Sequence, residues 1–393
     1  MKRGNYFSKV VLKDVSVFYG GGIVMKDLAI IGASYLQLPL IKKAKEMGYI
    51  THVFAWAAND VGEYEADFFY PISIIEKELI LEKCLEIGIC GICSIASDLA
   101  IITVNYVANA MGLNANSMEA TVKSTNKHFM RETFMVNGDP SPRSILVDGT
   151  TKLATLNLCY PVIVKPVDRS GSRGIYKLDN SVGLEAAVKA AIRESFDKKA
   201  LIEEFVDGQE YSVEYISYKG HHYFLAMTLK YTTGAPHFIE VGHLEPAPVK
   251  DELLKRVKIV VEHALDSLGL TEGASHSELK ITYDGSIKII EIGGRMAGDC
   301  IGSHLVHYST GIDFVKAVIQ VACGEKPDLL PDREKESVEV RFIFTEEDKQ
   351  EFERIRKEQP GMLIDVVDKN FDLIGKTTDS SNRAGCYIVR IAH

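Results

Sequence analysis

The stretch Ser275–Arg295, SHSELKITYDGSIKIIEIGGR, constrains what this chain can fold into more than any other: two runs of alternating apolar residues meet at Asp284-Gly285. That dipeptide suits a two-residue type I′ turn, in which both loop positions need positive φ, so the stretch reads as a β-hairpin. With Asp284 and Gly285 as the loop, Tyr283 pairs with Ser286, and counting outward sets Glu278 opposite Glu291. Directly opposed side chains have Cβ atoms roughly 4.5–5.5 Å apart, where like charges destabilise a sheet unless something compensates them. A divalent cation would do so, and Mg²⁺ usually takes one or two protein carboxylates and completes its shell with water and phosphate oxygens. The plainer account is a solvated hairpin face carrying two unrelated glutamates. The rest of the chain decides between the two.

At 393 residues, 46% hydrophobic and 25% charged, the chain is long enough for two or three domains around a large core. A net charge of −9 argues against a non-specific nucleic-acid binder, which carries a basic stripe. No apolar run reaches the roughly 18 residues of a membrane helix, and the N-terminus shows no hydrophobic signal segment. The expectation is a cytoplasmic protein with no nucleic-acid or membrane partner. The seven cysteines do not make a disulfide framework. Cys90-Gly91-Ile92-Cys93 has CxxC spacing, but it lies inside the apolar run Ile87–Ile95, where a buried parallel strand is the simpler account.

Residues 1–24 show no amphipathic period and precede a sequence typical of the opening of an α/β protein, so they read as an extension, with Met25 the expected biological start. From Leu28 strands and helices alternate: LAIIGA, a helix over Leu36–Gly48, a strand over Tyr49–Ala55, a helix over Glu76–Ile87, a strand over Ile89–Ile95 and a helix over Leu99–Met111. Such alternation predicts a parallel sheet with helices on both faces, here over residues 25–115. Asp98 is expected only to cap the last of these helices. Gly32-Ala33-Ser34 closes the first strand without a full GxGxxG, and no Walker A motif occurs anywhere. A helical polar segment, Asn116–Phe134, ends before the breaker cluster Asn137–Pro142. Next come a strand ending on Lys165 and the loop Asp168–Gly174, DRSGSRG, whose backbone NH groups and small side chains suit phosphates. Further on lie Leu201–Glu210 (LIEEFVDGQE), the loop Ile239–Pro248, a helix over Asp251–Leu268, the hairpin, and the glycine-rich turn Gly293–Asp299.

Taken in order, five of these pieces resemble the ATP-grasp superfamily, over essentially everything from Met25 onward: Asn126-Lys127, Ile163-Val164-Lys165-Pro166 before its Gly/Ser loop, Glu203–Glu210, Glu278, and Glu291-Ile292-Gly293-Gly294-Arg295. Gly242-His243 with Pro246, Gly273–Glu278 and Arg295–Asp299 look most like its amino-acid (dipeptide) ligase branch, the carboxylate–amine ligases. The resemblance implies an α/β (α+β ATP-grasp) fold: an N-terminal parallel α/β domain over 25–115, an ATP-grasp domain over 116–330 with a small β-rich lid at about 145–205, and a large antiparallel sheet. A C-terminal α+β subdomain would span 331–393.

The resemblance also implies ATP with Mg²⁺ (or Mn²⁺) as cofactors. Lys127 and Lys165 would contact ATP, with Ser170, Gly171, Ser172 and Gly174 closing over the triphosphate. Glu203, Glu204 and Val206 would form the linker whose backbone reads adenine, and Glu210 would bind the ribose. Glu278 and Glu291 would hold the metal, while the usual asparagine two residues further on is replaced by Gly293. The implied reaction activates a carboxylate as an acyl phosphate and passes it to an amine, with Arg295, His276 and Lys165 as catalytic candidates. Arg295, Glu240 and His243 are candidates for substrate recognition. Two alternatives remain open here: an enzyme using bicarbonate or another small acid, and an ATP-binding module without catalysis. The oligomeric state is open too, a homodimer included.

Overall fold

The structure, a computed structural model, describes residues 25–171, 173–234, 239–376 and 383–391. The expectations for residues 1–24 and for Ser172 lie outside the described residues.

The first sheet contains β1 (Asp27–Ile31), β2 (Ile50–Phe54), β3 (Phe68–Tyr70) and β4 (Gly91–Cys93) in the order β3-β2-β1-β4, all parallel. β1 is apolar from Leu28 onward because both of its faces are covered there. Leu28 and Ile30 enter one core, while Ala29 and Ile31 enter another on the opposite face. β3, absent from the sequence reading, is only three residues long, too short for a period to show. Asp98 is not a cap: Ser97 is the N-cap of the helix Asp98–Met111 and accepts from Ala100 N–H, which leaves Asp98 free for other work. Cys93 is buried, while Cys90 is half-buried with its Sγ 3.9 Å from that of Cys323.

A second, antiparallel sheet has the order β5-β8-β6-β7, from β5 (Ser144–Val147), β6 (Val162–Pro166), β7 (Tyr176–Leu178) and β8 (Ala200–Glu204), with the helix Leu184–Glu194 packed on it. The third and largest sheet contains β9 (Gln209–Tyr218), β10 (His221–Thr232), β11 (Glu240–Glu245), β12 (Gly273–Ile281), β13 (Ile287–Gly293), β14 (Val338–Ile343), β15 (Leu363–Lys369) and β16 (Gly385–Arg390). Its order is β13-β12-β9-β10-β11-β14-β16-β15, antiparallel throughout. The segment expected as a C-terminal α+β unit therefore shares its sheet with the rest. Alternation along β9 feeds both faces: Val213 and Tyr215 pack under the helix Asp251–Leu268, and Ile216 packs toward the first sheet through the helix Phe314–Ala322.

The hairpin β12–β13 pairs Glu278 with Glu291, but by a different route from the one the sequence suggests. The loop has three residues, Tyr283, Asp284 and Gly285, closed by Thr282 N–H donating to Ser286 O, with Gly285 at φ 80. Close to the turn, Ile281 pairs with Ile287 and Leu279 with Ile289. A bulge at Ile290 then shifts the ladder by one, and the two offsets cancel at Glu278. The bulge has a cause in hydrogen bonding. Ile289 N–H donates to Pro140 O and Ile290 O accepts from Arg131 Nη2 at 2.6 Å, both outside the ladder.

The polar segment 116–134 is two helices, Met118–Thr125 and Lys127–Asn137, broken at Asn126, whose side chain caps the second. The break lets Lys127 N–H bond Val167 O at 2.7 Å, fastening this helix to the end of β6. Gly208, between β8 and β9, marks the crossing from the small sheet to the large one. A Cβ there would stand 2.4 Å from Ile281 O. Gly208→Ala is therefore expected to cost about 1–3 kcal/mol in denaturant unfolding, while Gly149→Ala, whose Cβ meets nothing within 4 Å, should be close to neutral. Equal stabilities for the two variants would contradict the close approach.

Candidate active site

A cleft of about 1100 Å³, including its open mouth, lies between the small sheet and the hairpin. Of the residues singled out in the sequence, Lys127, Lys165, Ser170, Gly171, Glu203, Glu204, Val206, Glu210, Glu240, His276, Glu278, Glu291 and Arg295 all line it. Gly174, at φ 69, packs instead against Pro166 and Glu194, turning the loop back toward β7. A second cleft of similar size shares Ser170, Gly171, Glu240, His276, Glu278 and Arg295 with the first and adds Tyr35, Asp98, Lys230, His243 and Asp299. Glu278 and His276 thus stand where two chambers meet.

The end of the first cleft nearer the small sheet rests on Glu203, only 3% exposed. Its carboxylate is 2.6 Å from Lys165 Nζ and 2.8 Å from Arg131 Nε. Burial alone would raise this carboxyl, but Arg131 and Lys165 outweigh it and hold it below the usual range. Burial dominates at Lys165, whose ammonium is lowered despite Glu203. Glu203 was expected to contribute its backbone to a purine. It lies within β8, one residue before its end, paired with Ser144 on one side and Ile163 on the other, and its side chain anchors two cations. Past the end of the strand, Val206 lines the cleft, and its N–H has no backbone partner among the described residues.

At the hairpin the two opposed carboxylates are each met by a lysine. Lys127 Nζ lies 2.7 Å from Glu291 and donates to Arg169 O at 2.8 Å, tying the Gly/Ser loop to the same point. Lys230 Nζ lies 2.5 Å from Glu278, 3.3 Å from Glu240 and 3.4 Å from Glu210. Burial would lower Lys230, but the three carboxylates overcome it and hold the ammonium well above its ordinary value. Glu278 is likewise pulled well below the carboxylate range: Lys230 and His276 outweigh its burial. Lys230 was not picked out in the sequence. Its signal was a lysine on the inward phase of β10, two residues from Thr228, which is fully buried.

His276, as an imidazolium, donates from both ring nitrogens, Nδ1 to Glu214 at 2.5 Å and Nε2 to Glu278 at 3.3 Å. Burial works against the imidazolium, yet Glu214 and Glu278 raise its pKa to about 9. Arg295 is held by Asp98, Nε to Oδ1 at 2.8 Å and Nη2 to Oδ2 at 3.1 Å. Burial opposes both charges of this pair, and their mutual attraction wins, with Asp98 lowered and Arg295 raised.

Glu240, a candidate for an ammonium, is already engaged by Lys230 and by Arg383 Nη2 at 3.0 Å. Arg383 also meets Asp299 at 2.8 Å and stacks 3.8 Å from the Phe342 ring. His243 is fully buried with neither ring nitrogen hydrogen-bonded, its Nε2 4.0 Å from Asp299, and burial lowers its pKa so that the ring is neutral. Ala96 and Asp299, both on the second cleft, sit at positive φ (61 and 50), a conformation non-glycine residues hold only under constraint.

The charged state of His276 can be tested. Its folded pKa lies above the ordinary 6.5, so its stabilisation is fully present below pH 6.5 and is lost as the pH rises through about 9. An NMR titration of the ring should show this high midpoint, and Glu214→Gln should bring it down toward 6.5. A wild-type midpoint at or below 6.5 would contradict the ion-pair assignment.

Comparison with known proteins fits this geometry. Residues 158–303 match the ATP-grasp domain. The chain is 23% identical over 300 residues to alanine–anticapsin ligase of Bacillus subtilis, covering 67% of this chain and 63% of that protein. It spans roughly half to two thirds of the length of the curated relatives it matches. Among solved structures, the L-amino acid ligase from Bacillus licheniformis superposes with a TM-score of 0.78 at 22% identity, covering 93% of each chain. The carboxyaminoimidazole ribonucleotide synthase from Aspergillus clavatus, complexed with ATP, does so with a TM-score of 0.76 at 15% identity over 93% and 94%. At these identities the superpositions speak for the fold. Residues 158–303 are thus similar to the ATP-grasp domain, and the chain resembles amino-acid ligases among the proteins compared.

Proposed function

We propose that this protein is an ATP-dependent, ADP-forming carboxylate–amine ligase that acts on an amino acid or a similar small carboxylate. The observation that carries this reading is the opposed pair Glu278 and Glu291, each met by a lysine, at the meeting point of two clefts. The first cleft suits a nucleotide: its lining includes apolar Ile163 and Val206, the lysines Lys127 and Lys165 and the Gly/Ser loop at Ser170–Gly171, together with Glu278 and Glu291. The second suits the molecules to be joined.

The donor set fits a hard dication that arrives with phosphate. Two carboxylates are too few for a self-sufficient metal cage, and among the described residues no group of three or more acidic, histidine or cysteine side chains could hold one. When bound, Mg²⁺ would neutralise charge on the β- and γ-phosphates, with Glu278 and Glu291 as its protein ligands. The chain's own residues supply the rest. Lys127 and Lys165 would draw the triphosphate into line, and the loop at Ser170–Gly171 would keep water from it. The substrate carboxylate attacks the γ-phosphorus, ADP leaves, and an acyl phosphate results. An amine then attacks the acyl carbon, phosphate leaves, and the amine gives up a proton. The imidazolium of His276 and the guanidinium of Arg295 would stabilise the developing oxyanion. The neutral ring of His243 supports a role in receiving the proton.

ADP and phosphate release should be measured over a matrix of amino acids with and without an amine partner. Release requiring carboxylate and amine together supports the ligase. Release that depends on bicarbonate alone would replace it with the small-acid reading, and nucleotide binding without turnover on any substrate would leave only a binding module. Glu291→Gln should lower metal-dependent turnover by at least about 100-fold in a protein that still folds, with a lower melting temperature because the buried Lys127 loses its carboxylate partner. Near-normal turnover in that variant would remove Glu291 from the metal site.

A further inference from the structure

Gly293 ends β13, two residues past Glu291. Its backbone does not require glycine, since it lies outside the left-handed region. The reason for glycine is therefore spatial. A Cβ at 293 would stand 3.0 Å from Asp98 Oδ1 and 3.4 Å from both Cζ and Nε of Arg295, atoms that all belong to one bidentate ion pair. That pair cannot easily step aside. Ala96 N–H donates to Met296 O at 3.1 Å, so the turn carrying Asp98 and the turn carrying Arg295 are joined by their main chains as well. Any amide carried on residue 293 would have to occupy the volume that the ion pair fills.

We infer that Asp98 and Gly293 are a matched pair that takes the place of a third protein ligand at the cation site: Asp98 fills the room a longer side chain at 293 would need and fixes the orientation of Arg295, leaving the nucleotide-linked cation two protein carboxylates, Glu278 and Glu291. This rests on the nucleotide reading above. It makes Asp98 a positioning residue contributed by the first α/β unit, acting through Arg295. The cost is a cation site with no protein ligand beyond the hairpin, dependent on phosphate oxygens for the rest of its shell.

The test uses the full chain, Mn²⁺ as the probe and a non-hydrolysable ATP analogue, read by electron paramagnetic resonance and equilibrium dialysis. The wild type should hold about one tight Mn²⁺ per bound nucleotide. The double variant Asp98→Ala/Gly293→Asn should either gain a second Mn²⁺ or bind the first at least about tenfold more tightly. Gly293→Asn alone should gain no Mn²⁺ affinity, and it should raise the KM for the carboxylate by about tenfold or more while keeping nucleotide binding. Asp98→Asn keeps the volume and removes the charge. It should raise the same KM and leave the Mn²⁺ stoichiometry unchanged. Two tight Mn²⁺ in the nucleotide-bound wild type, or a gain of Mn²⁺ in Gly293→Asn alone, would overturn the matched pair and leave the nucleotide reading standing. Failure of the wild type to bind the analogue at all overturns both.

Discussion

A carboxylate as deeply buried as Glu203 cannot remain charged without partners, and satisfying it organises the molecule. Arg131 reaches it from the helix Lys127–Asn137 and Lys165 from the neighbouring strand β6, while a second Arg131 nitrogen takes the carbonyl that the hairpin bulge turns outward at Ile290. One guanidinium thus joins the small sheet, the central helix and the hairpin of the large sheet. Removing a member of such a set leaves an uncompensated buried charge, which costs about 3–5 kcal/mol, far more than the set contributes over an apolar replacement. Specificity of arrangement is the more natural account of it.

The hairpin shows both how much of the site was legible and why the reading was fortunate. Glu278 does face Glu291, yet the turn holds one residue more than the dipeptide Asp284-Gly285 suggested, and a bulge at Ile290 takes the extra residue back. That the chain turns at Asp284-Gly285 follows from local φ preferences and is visible in sequence, whereas the length of the loop is not. The bulge follows from Pro140 and Arg131, more than a hundred residues away, and is not. Most of the parallel sheet was legible because β1 and β4 are covered on both faces and lie in apolar runs, whereas β3, three residues long and part-exposed, was not. The two helices at 116–137 were harder to separate, because the cap at Asn126 lies inside a continuous polar stretch.

The residues that sequence reasoning passed over share one property: they are buried cations and their partners. Lys230 sits among carboxylates from β9, β11 and β12, Arg131 meets Glu203 of β8, and Arg383 meets Glu240 and Asp299, while Asp98 reads as a cap in the sequence because its partner, Arg295, lies 197 positions further along the chain. A charged residue in an alternating strand is usually solvated. For Lys230, only the topology, which sets β9, β10, β11 and β12 side by side, reveals that it is not.

Lys127 and Lys230 already neutralise the two carboxylates that face each other on the hairpin. A bare dication approaching that point would have to push both ammoniums off Glu278 and Glu291, leaving Lys230 to Glu210 and Glu240 and Lys127 with only the Arg169 carbonyl. A dication travelling on a nucleotide brings phosphate oxygens that can take up the displaced ammonium at once. On the proposed function, the built-in counter-ions would therefore set an order of assembly: they would favour metal and nucleotide entering as one unit and would discourage the pair of glutamates from collecting free cations.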